Sequence, residues 1–129
     1  PICSSDLYSA GVDFHGVHDW NLEWETFVPG WRIQKDQDAR RTAFLSSPMA
    51  YESTWRSPVL LIQGDDDRNV AFSQTVQLAE DLRKQGVDVE QLIFPDEVHD
   101  FLLYRNWLAA YTATFDFLSR KLAHKNAAH

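Results

Sequence analysis

Two short stretches of this 129-residue chain carry ionisable side chains in an arrangement that could transfer protons. The first is the acidic turn Asp65-Asp66-Asp67, and the second contains His99. Each follows a predicted strand, and the carboxyl ends of neighbouring parallel strands meet at one edge of a sheet. A carboxylate there can hold a histidine in one tautomer while the other ring nitrogen deprotonates a hydroxyl group. The alternative is a solvated acidic turn beside a histidine that only packs or caps.

The elements that would position these side chains alternate between strands and helices. The apolar run that starts at Pro58 and ends at Gly64 is typical of a strand buried on both faces of a parallel sheet. Further strands are predicted at Ala10 to His18 and at Val89 to Phe94. Together with the helices between them, they predict an α/β fold in which helices cross over a parallel sheet.

The helical segments are predicted from the spacing of apolar residues. Asp19 to Trp31 is expected to hold a short helix and a loop. Ser73 is the expected N-cap of a second helix that buries Val76, Ala79 and Leu82. The last helix is predicted to face inward with Leu103, Trp107, Tyr111, Phe115, Leu118 and Leu122.

Composition excludes several classes of partner. Twelve Lys and Arg against nineteen Asp and Glu give a net charge of −7, which disfavours nucleic acid and anionic membrane surfaces. No apolar run approaches the roughly 20 residues that a membrane helix needs. The single cysteine, Cys3, excludes an internal disulfide and a cysteine-built zinc site but leaves the cellular compartment open.

The longest familiar pattern in the chain is SPVLLIQGDDDRNVAFSQTVQLAEDLRKQGVDVEQLIFPDEVHDF, and SAGVDFHGVHDW and SSPMAY precede it. Together these segments resemble the C-terminal part of the catalytic domain of the prolyl oligopeptidase family, which contains dipeptidyl and acylaminoacyl peptidases. The resemblance implies an α/β-hydrolase fold, of which this chain would form the C-terminal half. It also implies a serine peptidase that cleaves short peptides without a metal or cofactor.

The resemblance also implies roles for individual residues. The triad acid falls on Asp67 and the triad base on His99. Related sequences usually have glycine after that histidine, whereas this chain has Asp100, which has less backbone freedom than glycine. The expected substrate contacts are Trp20, Phe27, Asn69 and Val70.

One part of the triad is missing from the chain. The family nucleophile lies in a G-x-S-x-G elbow between a strand and a helix, and no such pattern occurs here. Ser4 and Ser5 are poor substitutes because they have neither a preceding strand nor flanking glycines. Residues 1–129 are therefore expected to form a partial catalytic domain, inactive alone, with the upstream part of the same protein as a partner.

Other interpretations stay open at this point. His15 and His18 with Asp13 and Asp19 resemble a metal cluster, although histidines three apart on a strand face opposite sides. The same half-fold could belong to a carboxylesterase-like hydrolase, or to a non-catalytic α/β module that acts by association. If the strand from Ala10 to His18 lacks a neighbour, its open edge predicts pairing with another chain, as in a homo-oligomer.

Overall fold

The computed structural model of this chain describes residues 8–31 and 36–126. Strands and helices alternate along these ranges, and no described helix combines the length and the apolar character that a membrane span requires. In chain order the elements are strand β1 (Gly11–Phe14), helices α1 (Trp20–Phe27) and α2 (Gln37–Leu45), a 3-10 helix (Pro48–Thr54), strand β2 (Val59–Gly64), helix α3 (Phe72–Lys84), strand β3 (Val89–Phe94) and helix α4 (Tyr104–Asn126).

The three strands form one parallel sheet in the order β1–β2–β3, which confirms the predicted sheet type. Every residue of the central strand β2 is buried, as its apolar sequence predicts. Strand β1 is shorter than the predicted strand from Ala10 to His18, because the backbone leaves the extended conformation at His15, where φ is 40°. Among the described residues, β1 has no strand on its outer side.

Successive residues of β2 pack on opposite faces of the sheet. Leu61 belongs to a buried cluster with Leu78 and Leu82 of α3, whereas Ile62 belongs to a second cluster with Phe117 of α4. Helices therefore cover both faces of the central strand. The carboxyl ends of the strands, where ligands bind in such sheets, stay at one edge.

Helix α3 differs from its prediction in two details. It begins before Ser73, which is exposed within the first turn and does not cap it. Ala79 and Leu82 are buried as predicted, but Val76 is exposed and Leu78 is buried in its place. Leu78 lies four residues before Leu82 and shares its face, whereas Val76, six residues before it, is turned toward solvent.

Helix α4 packs on the sheet with a different face from the one predicted. Its fully buried residues are Ala110 and Phe117, and only Trp107 and Leu118 of the predicted set are partly covered. The helix lies mainly over β2 and β3, so the sheet covers only part of its broad apolar surface. The predicted inward residues that are exposed are Leu103, Tyr111, Phe115 and Leu122.

Candidate active site

The turn after β2 holds a buried carboxylate, that of Asp67. Its Oδ1 accepts hydrogen bonds from the backbone N–H groups of Asn69 and Val70, both at 2.9 Å. Its Oδ2 accepts a hydrogen bond from Gln63 Nε2 at 3.0 Å and lies 2.8 Å from Nδ1 of His99. Four partners therefore fix the position of this carboxylate and compensate for its loss of hydration.

These partners decide the charge of Asp67. Burial is the largest single influence and would raise the pKa of Asp67. The hydrogen bonds from Gln63, Val70, His99 and Asn69 together outweigh it, so the pKa of Asp67 lies below its ordinary value. Asp67 is therefore a carboxylate at neutral pH.

The two preceding acids have other partners. Asp66 forms an exposed ion pair with Arg68 at 3.0 Å. Asp65 accepts a hydrogen bond from the backbone N–H of Asp96 at 2.7 Å. The acid in contact with His99 is thus the third of the turn, the residue on which the resemblance places the triad acid.

His99 follows β3, and the parallel pairing of β2 with β3 brings its loop beside the Asp67 turn. Asp67 Oδ2 and His99 Nδ1 lie 2.8 Å apart, within hydrogen-bond distance. Because Nδ1 faces the carboxylate, Nε2 is left for a reacting group. The His99 side chain is 24% exposed, which leaves it accessible to such a group.

The loop that carries His99 is held by Glu97. The Glu97 carboxylate accepts hydrogen bonds from the backbone N–H groups of Leu102 at 2.8 Å and Leu103 at 3.1 Å, and from Asn106 Nδ2 at 2.6 Å. Burial would raise the pKa of Glu97, but these bonds outweigh it and the pKa is lowered. The ionised carboxylate thus ties the loop to the start of α4.

The path of the chain after His99 accommodates a non-glycine residue. Asp100 does not adopt a left-handed backbone conformation, and the residue that does is Phe101, with φ of 38°. Phe101 is buried, and its ring contacts that of Phe94 with centroids 4.9 Å apart. The loop therefore takes its left-handed turn one residue later than a glycine at position 100 would suggest.

A second histidine lies against His99 that sequence reasoning did not assign to this site. The ring centroids of His15 and His99 are 3.9 Å apart, with 50° between the ring planes. Burial, followed by the proximity of His99, lowers the pKa of His15. No local pattern could have revealed the contact, because the fold alone brings the two rings together.

The other histidine of the candidate metal cluster pairs with an acid. His18 is buried, and its Nε2 lies 2.8 Å from Asp13 Oδ2. In the part of the chain that the structure describes, no three His, Cys, Asp or Glu side chains are grouped closely enough to hold a metal ion. Asp13 and His18 are thus placed as a pair that spans the bend after β1.

A buried polar pair, also unmarked by any sequence motif, lies near the Asp67 turn. Glu23 of α1 accepts a hydrogen bond from Gln74 Nε2 at 2.8 Å, and Gln74 Oε1 accepts from the backbone N–H groups of His18 and Asp19. Burial, then the charge of Asp67, raises the pKa of Glu23, whereas the bond from Gln74 lowers it. The pair links the start of α1 to the start of α3.

An aromatic groove of about 510 Å³ lies between α1 and α2. Of the four predicted substrate contacts, only Trp20 lines it; Phe27 is exposed elsewhere on α1. Asn69 and Val70 lie in the Asp67 turn, and Val70 is buried. The residues that line the groove are Trp20, Trp24, Trp31, Ala39, Thr42, Ala43 and Ser46.

The arrangement provides a base and the acid that orients it. It could accept a proton from a hydroxyl group presented to His99 Nε2 and return that proton to a leaving group. The 129 residues contain no G-x-S-x-G pattern that would supply the hydroxyl. Ser4 and Ser5, considered as substitutes, lie outside the described residues.

Comparison with known proteins identifies similar chains. Residues 3–125 match a family model described as the prolyl oligopeptidase family. Dipeptidyl-peptidase 5 of Porphyromonas gingivalis is 32% identical over 103 residues, an alignment that covers 80% of this chain and 15% of that protein. Acylamino-acid-releasing enzyme 2 of Oryza sativa subsp. japonica is 33% identical over 103 residues, which cover 78% of this chain and 13% of that protein. The chain thus spans less than a fifth of the length of either relative.

Solved structures agree at the level of the fold. Acylaminoacyl peptidase from Pyrococcus horikoshii superimposes with a TM-score of 0.79 at 23% identity, covering 95% of this chain and 22% of that chain. An esterase from Thermogutta terrifontis gives a TM-score of 0.65 at 18% identity, covering 92% of this chain and 49% of that chain. The α/β-hydrolase fold predicted from the sequence is confirmed.

Proposed function

Because the chain belongs to the prolyl oligopeptidase family, we propose that it supplies the acid and the base of a Ser-His-Asp triad that hydrolyses peptide bonds of short peptides. The observation that carries this proposal is the 2.8 Å contact between Asp67 Oδ2 and His99 Nδ1. A buried, ionised carboxylate in that position holds the histidine in the tautomer with its proton on Nδ1.

The proposed reaction uses this pair twice. His99 Nε2 takes the proton of a serine hydroxyl as the serine oxygen bonds to the scissile carbonyl carbon. The same nitrogen then gives the proton to the amine that leaves, and an acyl-enzyme remains. A water molecule repeats the sequence and releases the acid, while the carboxylate of Asp67 stabilises the imidazolium each time. These proton transfers balance without a cofactor.

The serine is proposed to come from polypeptide outside these residues. The chain has no nucleophile elbow and spans 15% and 13% of two relatives. We take residues 1–129 as a partial catalytic domain and the upstream part of the same protein as its partner. On this view the 129-residue chain has no hydrolytic activity of its own.

Substrate contacts are proposed from the residues around the pair. Trp20 would offer an apolar surface in its groove, and Asn69 lies in the same turn as the acid. Val70 supports that turn through its buried side chain, and Phe27 could contact only a ligand that extends beyond the groove. The names of the similar proteins, a dipeptidyl-peptidase and an acylamino-acid-releasing enzyme, favour short peptides as substrates.

The open edge of the sheet supports a proposal about association. Strand β1 has no neighbour on its outer side among the described residues. The ring centroids of Phe14, at the end of β1, and Tyr111 of α4 are 6.1 Å apart. Tyr111 belongs to the exposed apolar side of α4, so an unpaired strand and an apolar helix face adjoin. Soluble proteins cover such edges. We propose that further polypeptide, from the same protein or a second copy, covers this one.

The test compares the 129-residue chain with the protein that carries it together with a nucleophile. The 129-residue chain should not react with a fluorophosphonate probe. The protein with the nucleophile should be labelled at a serine and should hydrolyse dipeptide or acyl-amino-acid anilides.

In the protein with the nucleophile, His99→Gln should reduce turnover by several orders of magnitude without a change in melting temperature. Retained turnover would reject the triad, and turnover of esters alone would favour an esterase. No turnover or labelling in either protein would favour a non-catalytic association module.

A further inference from the structure

The imidazole of His15 packs against that of His99, the proposed base. The centroids of the two rings are 3.9 Å apart with an interplanar angle of 50°, a contact much closer than His15 makes with the other rings of the described residues. His99 therefore contacts the Asp67 carboxylate through Nδ1 and the ring of His15 through its own ring.

The backbone at His15 is conformationally strained. Its φ of 40° lies in the left-handed region, which side chains other than glycine adopt infrequently. Its N–H donates to the carbonyl of Ile62 at 2.8 Å, which continues the hydrogen bonding of β1 with β2 by one residue. The rings of Phe14 and Phe101 meet His15 edge-on, at 6.2 and 6.0 Å. Strain of this kind persists where surrounding contacts over-determine a conformation, and it concentrates at functional sites.

The charged and titratable groups around His15 keep it neutral. Burial is the largest influence on the pKa of His15 and lowers it, and the nearby His99 lowers it further. Asp67, Asp13 and a backbone hydrogen bond oppose this shift but do not cancel it. When His99 carries a proton during a catalytic cycle, a second imidazolium 3.9 Å away would be strongly disfavoured.

We propose that His15 is a positioning residue for His99: its ring packs against the His99 imidazole and restricts the orientation in which Nε2 meets the nucleophile. The proposal rests on the proposed function, because it assigns a partner to the base of the triad. It explains why a strained, partly buried histidine directly follows β1, at the same edge of the sheet as the acid and the base.

Two substitutions of His15 test the role of its aromatic ring separately from that of its strained backbone. His15→Phe keeps an aromatic face, and Phe101 shows that phenylalanine is accommodated at a φ of 38° in this protein. His15→Asn removes the ring but suits the left-handed conformation. Both are made in the protein that carries the chain with its nucleophile, and kcat and KM are measured with a dipeptide anilide.

The proposal expects His15→Asn to lower kcat by about tenfold or more with KM nearly unchanged, because a misoriented base mainly affects the reacting geometry. His15→Phe should retain most of kcat. Equal losses in both variants, no loss in either, or a loss only in His15→Phe would overturn the proposal. Each of these outcomes would mean that activity does not depend on an aromatic ring at position 15.

A titration provides a second test that does not depend on turnover. His99→Gln removes the imidazole whose proximity lowers the pKa of His15, so the pKa of His15 measured by NMR should rise. An unchanged His15 pKa would mean that the rings do not interact and would overturn the proposal even if both His15 variants unfold. Failure of the proposed function can be distinguished from failure of the role of His15, because it would appear as normal turnover in His99→Gln.

Discussion

Gly64 lies so close to Glu97 that a Cβ atom at position 64 would be 2.1 Å from the Glu97 carbonyl oxygen. Gly64 ends β2, three residues before the acid, and Glu97 lies two residues before His99. The two loops that carry the acid and the base are therefore in van der Waals contact through a position where only glycine fits. The backbone N–H of Asp66 also donates to that carbonyl at 3.1 Å.

Gly64→Ala is expected to force these loops apart. We expect a loss of about 1–3 kcal/mol in the free energy of unfolding, as for other overpacked sites, measured by urea denaturation. The matched control is Gly86→Ala, where φ is 77° and a Cβ would meet no atom within 4 Å, so only backbone strain is added. Turnover should fall in Gly64→Ala but not in Gly86→Ala. Wild-type stability of Gly64→Ala would contradict the close approach.

Asp67→Asn should leave the fold in place and remove most activity. An asparagine amide group can donate to His99 Nδ1 and so stabilise the wrong tautomer, which in a Ser-His-Asp triad costs about 10⁴-fold in kcat. Asp66→Asn is the control, because Asp66 is exposed and, among the described side chains, pairs only with Arg68. Comparable turnover in the two variants would argue against Asp67 as the triad acid.

The ion pair between β3 and α4 should make stability depend on acid pH. Glu90 Oε1 and Oε2 accept hydrogen bonds from the Arg120 guanidinium at 2.8 and 2.7 Å, and Lys121 lies 3.2 Å away. The Arg120 bonds are the main cause that lowers the pKa of Glu90 to about 2.

Because the folded pKa of Glu90 is below its ordinary value of 4.5, its stabilisation is complete above pH 4.5 and lost as the pH falls toward 2. Glu90→Gln should therefore lower stability at pH 7 by about 1 kcal/mol, since the pair is partly exposed, and by little near pH 2. Thermal melts across this range provide the measurement. An equal difference at both pH values would show that the pair does not titrate as described.

The exposed side of α4 should govern association. Light scattering of the 129-residue chain at micromolar concentration is expected to show a species larger than its 14.9 kDa mass. Phe115→Lys, at a side chain that is 70% exposed, should dissociate it by placing a charge in an apolar contact. Ala109→Lys adds the same charge at an exposed position six residues before Phe115, on a different side of the helix, and should have little effect. A monodisperse monomer in the unsubstituted chain would refute the proposal.

The predictable part of this structure is the part encoded over short distances in the chain. The apolar run before Gly64 was recognisable because burial on both faces requires apolar residues throughout, and every residue of β2 is buried. The strand at Val89–Phe94 was also predicted, although only Phe94 of its residues is fully buried. The closeness of Asp67 and His99 then follows from parallel pairing, which brings successive strand ends to one edge.

The remaining features depend on contacts that no local pattern contains. His15 meets His99, and Glu23 meets Gln74, only after strands and helices have packed. The inward face of α4 was mispredicted because apolar residues lie on several sides of this helix and the sheet covers only one of them. Periodicity alone therefore could not show that Phe117 is buried and Phe115 is exposed. Side chains chosen by tertiary packing are the ones that sequence spacing identifies least well.

The partners of Asp67 also imply an order in which the site is assembled. Three of its four hydrogen-bond donors come from residues 63–70, so the carboxylate acquires its geometry as soon as one short turn closes. His99 depends instead on docking of β3 and on the bonds that join Glu97 to the start of α4. We therefore expect the acid to acquire its geometry before the base during folding, and the histidine to be lost first under partial unfolding. The rate of proton transfer by this pair should therefore be a sensitive indicator of whether the C-terminal part of the domain is fully folded.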